Sequence, residues 1–165
     1  GKDDPAKKTK QSSEQKFVSN MQSYIRKEQI TQYAMVMVEE KKIRLVMNDP
    51  LLFKPGSYQL TEQAERVLDG FAVIMSKVKN PIIIEGHTDN RVMRSEDYDS
   101  AWDLSMHRAY RVLKYFVDNH NMPQANLSLQ AFGKQRPMYP NTTTRLRRMN
   151  RRVELVIIRV KRAGA

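Results

Sequence analysis

Ile82-Ile83-Ile84-Glu85-Gly86-His87-Thr88-Asp89-Asn90 passes from an almost wholly apolar run into a polar turn. A run this short and this rich in β-branched residues reads as a strand buried on both faces. Gly86 relaxes the backbone before the turn, and side chains that do chemistry commonly sit at the ends of such strands. Upstream, Thr61 caps a helix whose stripe is Ala64, Val67, Leu68, Phe71, Ile74, Met75 and Val78, ended by Asn80-Pro81. Downstream, residues 91–100 have the composition of a charged loop. Leu104, Ala109, Val112, Leu113 and Phe116 then predict a second amphipathic helix to about Asn119, stopped at Met122-Pro123.

Leu127 to Phe132 reads as a further strand, residues 133–147 as a long polar loop with Pro137 and Pro140, and Val153 to Val160 as a final strand. Towards the N-terminus, Tyr33 to Val38 and Ile43 to Met47 predict a hairpin, followed by a loop from Pro50 to Gly56 whose Leu51, Leu52 and Phe53 fold back onto the core. Phe17, Val18, Met21, Tyr24 and Ile25 give residues 12–32 the pattern of an amphipathic helix capped by Ser12 or Ser13. Residues 1–11 have no periodicity and read as a disordered leader or linker. Strands alternating with helices, a leading hairpin and a final strand pair imply a layered α/β domain with a mixed sheet over residues 33–162.

Length and composition narrow the function. A chain of 165 residues, 40% hydrophobic, builds one core, and it holds no apolar run long enough to span a membrane. Cysteine is absent, which excludes disulfides, thiolate catalysis and Cys-based zinc sites. No glycine-rich phosphate loop occurs, so a nucleotide cofactor has no support. The net charge of +11 is concentrated in the C-terminal third, including Arg145, Arg147, Arg148, Arg151 and Arg152, and favours an anionic partner. The commoner reading of such a patch is a solvated basic face; a cell-wall polymer or an anionic lipid headgroup would exploit the same field. Nucleic acid has no support, for want of a helix-turn-helix, an aromatic strand pair or a zinc finger.

Two charges stand out. Asp89 follows the buried strand and Arg108, nineteen residues later, lies in Leu104-Ser105-Met106-His107-Arg108-Ala109 at the start of the second helix. A carboxylate and a guanidinium held beside one pocket suit a small zwitterion, whose ammonium meets the first and whose carboxylate meets the second. The bland reading is a structural ion pair. His87, with only His107 and His120 as company, is read as structural and not as a metal ligand. Glu85, Asp89, Glu96, Asp97 and Asp99 mostly sit in a loop, too loosely placed to act as glycosidase carboxylates. No catalytic residue, metal or cofactor is expected.

Gly86-His87-Thr88-Asp89-Asn90, Ser100-Ala101-Trp102-Asp103-Leu104-Ser105 with Arg108-Ala109, and Met149-Asn150-Arg151-Arg152-Val153-Glu154 together resemble the OmpA-like peptidoglycan-binding family over residues 33–160. The Trp-Asp-Leu-Ser wording and the long insertion before Leu104 look most like the periplasmic domain of flagellar stator B subunits of the MotB and PomB type. That resemblance implies a two-layer sandwich with helices on one face of the sheet. It also implies a ligand pocket of Asp89, Arg108, Thr88 and Leu104, with Asn90 and Arg152 as secondary contacts. Ala101 stands where the family often has Asn.

The implied ligand is the diaminopimelate of the peptidoglycan stem peptide. The implied parent is an inner-membrane, single-pass protein that works as a homodimer beside a stator A subunit. An outer-membrane or lipoprotein wall anchor of the same fold is the alternative, and a basic nucleic-acid or lipid-binding module the third. Residues 12–32 would be a packed extension or, preferred here, a regulated linker helix whose exposed apolar face supports dimerisation.

Overall fold

The computed structural model describes residues 12–159, so the leader expected at 1–11 and the last residues expected in the domain lie outside them. The elements run α1 (Ser13–Lys27), β1 (Ala34–Val38), β2 (Lys42–Asn48), α2 (Asp49–Leu52), α3 (Glu62–Met75), β3 (Ile82–His87), α4 (Ala101–His120), a single 3₁₀ turn (Gln124–Asn126), β4 (Leu127–Gly133), α5 (Thr144–Asn150) and β5 (Arg152–Ile158). The five strands form one mixed sheet in the order β1-β2-β5-β3-β4. β1–β2, β2–β5 and β5–β3 pair antiparallel, while β3 and β4 pair parallel through the α4 crossover.

Alternation along the strands separates the two faces. Ile43, Leu45 and Met47 of β2, Ile82 and Ile84 of β3, and Val153, Leu155 and Ile157 of β5 enter the core under the helices, with Leu68, Phe71, Val112 and Phe116 above them. The opposite face carries Arg44, Glu85, His87, Arg152 and Glu154, so the helices lie on one side as expected.

α4 approaches β3 closely because Gly86 has no side chain. A Cβ there would stand 2.0 Å from the Ser105 carbonyl oxygen. Ser105 Oγ accepts a hydrogen bond from the Gly133 amide at 3.0 Å, fixing the start of α4 to the ends of β3 and β4.

Two elements depart from expectation. The loop expected from Pro50 to Gly56 opens instead with one turn of helix, α2, whose second residue, Pro50, costs nothing because the first helical amides have no partner anyway. The polar stretch 133–147 contains the start of α5, whose Thr143 side chain accepts from the Leu146 amide.

α1 is a capped helix, with Ser12 and Gln15 bonding each other's backbone amides. Its apolar side, Phe17, Met21 and Ile25, is buried in this same domain. Tyr24 meets Phe71 edge-on at 4.9 Å, and its hydroxyl lies 3.2 Å from the Arg66 and Val67 carbonyls. Gly70 makes the room, since a Cβ there would fall 2.1 Å from the Tyr24 ring. Arg159 pairs with Glu14 at 2.6 Å. The exposed apolar face expected to support dimerisation is therefore covered by the domain itself. α1 is a packed extension of the fold.

Candidate ligand-binding cleft

Sheet order creates the cleft. β5 lies between β2 and β3 and antiparallel to both, so the C-terminal ends of β2 and β3 flank the start of β5; Asn48 and His87 are both in register with Arg152. The residues just beyond those ends, Asp49, Asp89 and Arg151, are thereby gathered at one edge. The Asp49 amide donates to the Arg151 carbonyl at 2.8 Å, tying two of them by the main chain. α4, brought down by Gly86, adds Leu104 and Arg108.

The charges alternate. Arg108 Nη1 donates to Asp49 Oδ2 at 2.9 Å, Arg151 Nε reaches the same oxygen at 3.2 Å, and Arg151 Nη1 donates to Asp89 Oδ2 at 2.7 Å. Among the described residues no ion pair joins Asp89 directly to Arg108; Asp49 and Arg151 stand between them. Arg108 also donates from Nε to the Ser57 carbonyl at 2.9 Å and lies 4.8 Å from the centre of the Phe53 ring. Burial pushes the Arg108 guanidinium down from its ordinary value, and Asp49 offsets part of that.

Asp89 Oδ1 accepts from the Arg91 amide at 2.8 Å, so the carboxylate also shapes the turn that follows it. Charged oxygens accept more than one bond each, and Arg108 spends only Nε and Nη1 on these contacts. Hydrogen-bonding capacity thus remains on both for a ligand.

Asp89, Leu104 and Arg108 line one cleft of about 580 Å³, walled by the loop at 53–56 and the loop at 91–98. Tyr98 bridges the walls through its hydroxyl, 3.3 Å from the Gly56 carbonyl. Thr88 is buried beside the cleft and donates to the Asp89 carbonyl at 2.9 Å. Asn90 is exposed and does not line it. Arg152 lies on the opposite side of the sheet, where its Nε donates to Glu154 at 2.6 Å.

Adjacent residues at a strand's start face opposite ways, so Arg151 lines the cleft and Arg152, expected there, faces the other side of the sheet. Asp49 and Arg151 are the cleft residues that motif reading passed over. The available signal was position: Asp49, like Asp89, follows directly on a β-rich run.

The open face holds a second charged group and a larger concavity of about 680 Å³. Glu85, His87 and Glu154 offer metal-ligand atoms within 4.8 Å of one another. Arg44 binds both carboxylates, at 3.3 and 2.8 Å, as well as Glu39, and Arg152 binds Glu154, so each buried carboxylate already has a guanidinium partner. Burial alone would raise Glu85, but His87 and Arg44 outweigh it and hold the carboxyl below its ordinary value. His87 Nε2 is 3.1 Å from Glu85, its ring stacks on Phe132, and its buried Nδ1 has no partner.

A metal bound at Nε2 would force the ring proton onto Nδ1, where nothing accepts it. Two guanidiniums and an orphaned ring nitrogen make this a poor cation site. It is a buried polar network joining β2, β3 and β5.

The OmpA family model matches residues 52–151, from the end of α2 to the Arg151 that closes the cleft. The chain belongs to the OmpA family. Within it, an uncharacterised Bacillus subtilis protein, YtxE, is 30% identical over 158 residues, covering 95% of this chain and 65% of that protein. The peptidoglycan-associated lipoprotein of Pseudomonas aeruginosa is 36% identical over 103 residues, 62% of this chain and 58% of the lipoprotein. The crystal structure of a MotB-like protein from Desulfovibrio vulgaris superposes with a TM-score of 0.79 at 28% identity, covering 93% of this chain and 95% of that one. This OmpA-family chain therefore spans less than two thirds of the length of YtxE and of the lipoprotein.

Proposed function

We propose that the cleft binds peptidoglycan non-covalently by gripping the zwitterionic end of a diaminopimelate side chain. Asp89 takes the ammonium and Arg108 the carboxylate. The observation that carries this reading is the alternation of Asp89, Arg151, Asp49 and Arg108 along one cleft, which offers both signs of charge at fixed separation on a rigid sheet edge. The wall-associated name of the lipoprotein relative agrees with it. Binding fits better than hydrolysis. Glycoside cleavage needs a carboxylic acid with a proton to give, whereas both cleft carboxylates accept from guanidinium groups.

The MotB-like structural neighbour and the sequence resemblance favour an anchoring domain of a flagellar stator B subunit, on the outer side of a single-pass membrane protein and working with a stator A subunit. Pairing of two such copies would use a surface other than the covered side of α1. The lipoprotein relative supports the second reading, a lipid-anchored wall binder. Upstream sequence separates the two: a transmembrane helix means stator, a lipidation signal means lipoprotein.

The test is titration of the chain with a diaminopimelate muropeptide and with its lysine counterpart, which keeps the ammonium and lacks the side-chain carboxylate. The diaminopimelate form should bind more tightly by about 2 kcal/mol or more, roughly thirtyfold, and Asp89→Asn should weaken both. Equal binding of the two peptides, or release of fragments from intact wall, would overturn the proposal.

A further inference from the structure

A cationic stripe leads out of the cleft along α5. Arg145, Arg148 and Arg151 follow at three-residue steps, which sets them on one side of the helix and its cap. Arg151 is the cleft end of this row and is bonded to Asp49 and Asp89. Arg145 and Arg148 are exposed, and among the described residues neither has an ion pair or a side-chain hydrogen bond. Their neighbours are spent differently. Arg147 is buried and bonds the Asn141 carbonyl and the Thr144 hydroxyl, and Arg152 and Arg159 are tied to Glu154 and Glu14.

α5 contains no acidic residue to neutralise the row. On the loop at 91–98, Arg91 and Arg94 are exposed, line the same cleft as Arg151, and have no ion pair among the described residues. Arg145 and Arg148 thus remain uncompensated along α5, while the loop bearing Arg91 and Arg94 also carries Glu96, Asp97 and Asp99.

We propose that this stripe holds a phosphate-bearing polyanion attached to the same wall polymer whose stem peptide enters the cleft. The inference rests on the peptidoglycan reading. Continuity favours this partner, because the row runs into the cleft at Arg151 and a polyanion tethered to an already bound polymer meets the stripe at high effective concentration. Guanidiniums suit phosphate oxygens by geometry as well as charge.

A membrane or a nucleic acid fits less well. α5 presents no exposed apolar residue to insert into lipid, since Leu146 and Met149 are half-buried, and no aromatic residue on which a base could stack.

The test uses cell walls that carry phosphodiester-linked polymer and the same walls stripped of it by hydrofluoric acid. Binding is followed by sedimentation across a salt series. Arg145→Gln with Arg148→Gln should weaken binding to intact walls about three- to tenfold and flatten the log–log salt slope by about 1 to 2, as expected for losing two phosphate contacts. Binding to stripped walls and to soluble muropeptide should stay at the parent level, as should the melting temperature.

Unchanged binding to intact walls, an equal loss on stripped walls, or a larger loss on anionic phospholipid vesicles or duplex DNA overturns the proposal. Asp89→Asn is measured in parallel. If it leaves binding to stripped walls intact, the cleft reading falls, while the comparison of intact with stripped walls still judges the stripe.

Discussion

Replacing Asp49 by Asn tests whether the cleft charges depend on one another. The Arg108 side chain is 2% exposed and Asp49 is its only carboxylate partner among the described residues, at 2.9 Å. Removing one member of a buried pair strands the other charge and costs about 3 to 5 kcal/mol. Asn retains an acceptor oxygen at the same place, and Ser57 and Phe53 still contact the guanidinium, so the lower end, about 3 kcal/mol, applies. Asp89→Asn is the control, because its partner Arg151 is 27% exposed and still pairs with Asp49 at 3.2 Å when released. That loss should be about 1 kcal/mol or less.

For a chain of this size those costs correspond to melting-point drops of about 6–12 °C and about 2–4 °C. Thermal and urea denaturation of the two variants, with unchanged urea dependence as the check on two-state behaviour, measures both. Replacing the pair together, Asp49→Leu with Arg108→Met, should recover most of the loss, since no charge is then stranded. Equal destabilisation by Asp49→Asn and Asp89→Asn would refute the reasoning.

Gly86→Ala should cost several kcal/mol and abolish muropeptide binding in whatever fraction stays folded. The added carbon meets main-chain oxygen at 2.0 Å and must push α4, with Leu104 and Arg108, away from the sheet; a chemical melt beside the titration reads both effects. Glu85 has a folded-state pKa below its ordinary 4.5, so its contribution to stability is complete above that value and is lost as pH falls through the lowered one. Melting curves of parent and Glu85→Gln should therefore converge on acidification; a gap that widens towards low pH would contradict the assignment.

Much of this architecture was legible because hydrophobic periodicity is strong where elements are long and half-buried. The stripe from Ala64 to Met75 and the alternation of Ile43, Leu45 and Met47 each carry their own signal. α2 is a single turn, shorter than the period that would reveal it. α5 buries Arg147 and Asn150, so its inward side is polar and no apolar stripe marks it.

Strand order was equally hidden, because β5 pairs with strands more than sixty residues earlier in the chain. Asp49 and Arg151 were missed for that reason, since they become cleft residues only when β5 inserts. Local wording singled out Asp89 and Arg108, which line the cleft, and Arg152, which strand alternation turns to the other face.

β5, the last strand among the described residues, lies in the middle of the sheet. While β5 is absent, the N-terminal hairpin and the β3–α4–β4 unit have no shared edge, and Asp49 and Asp89 have no arginine to bring them together. A polypeptide emerging from its N-terminus would stay uncommitted until β5 emerged, then close around it in one step. The cleft and the tertiary structure would arrive simultaneously, and a break before β5 would remove both.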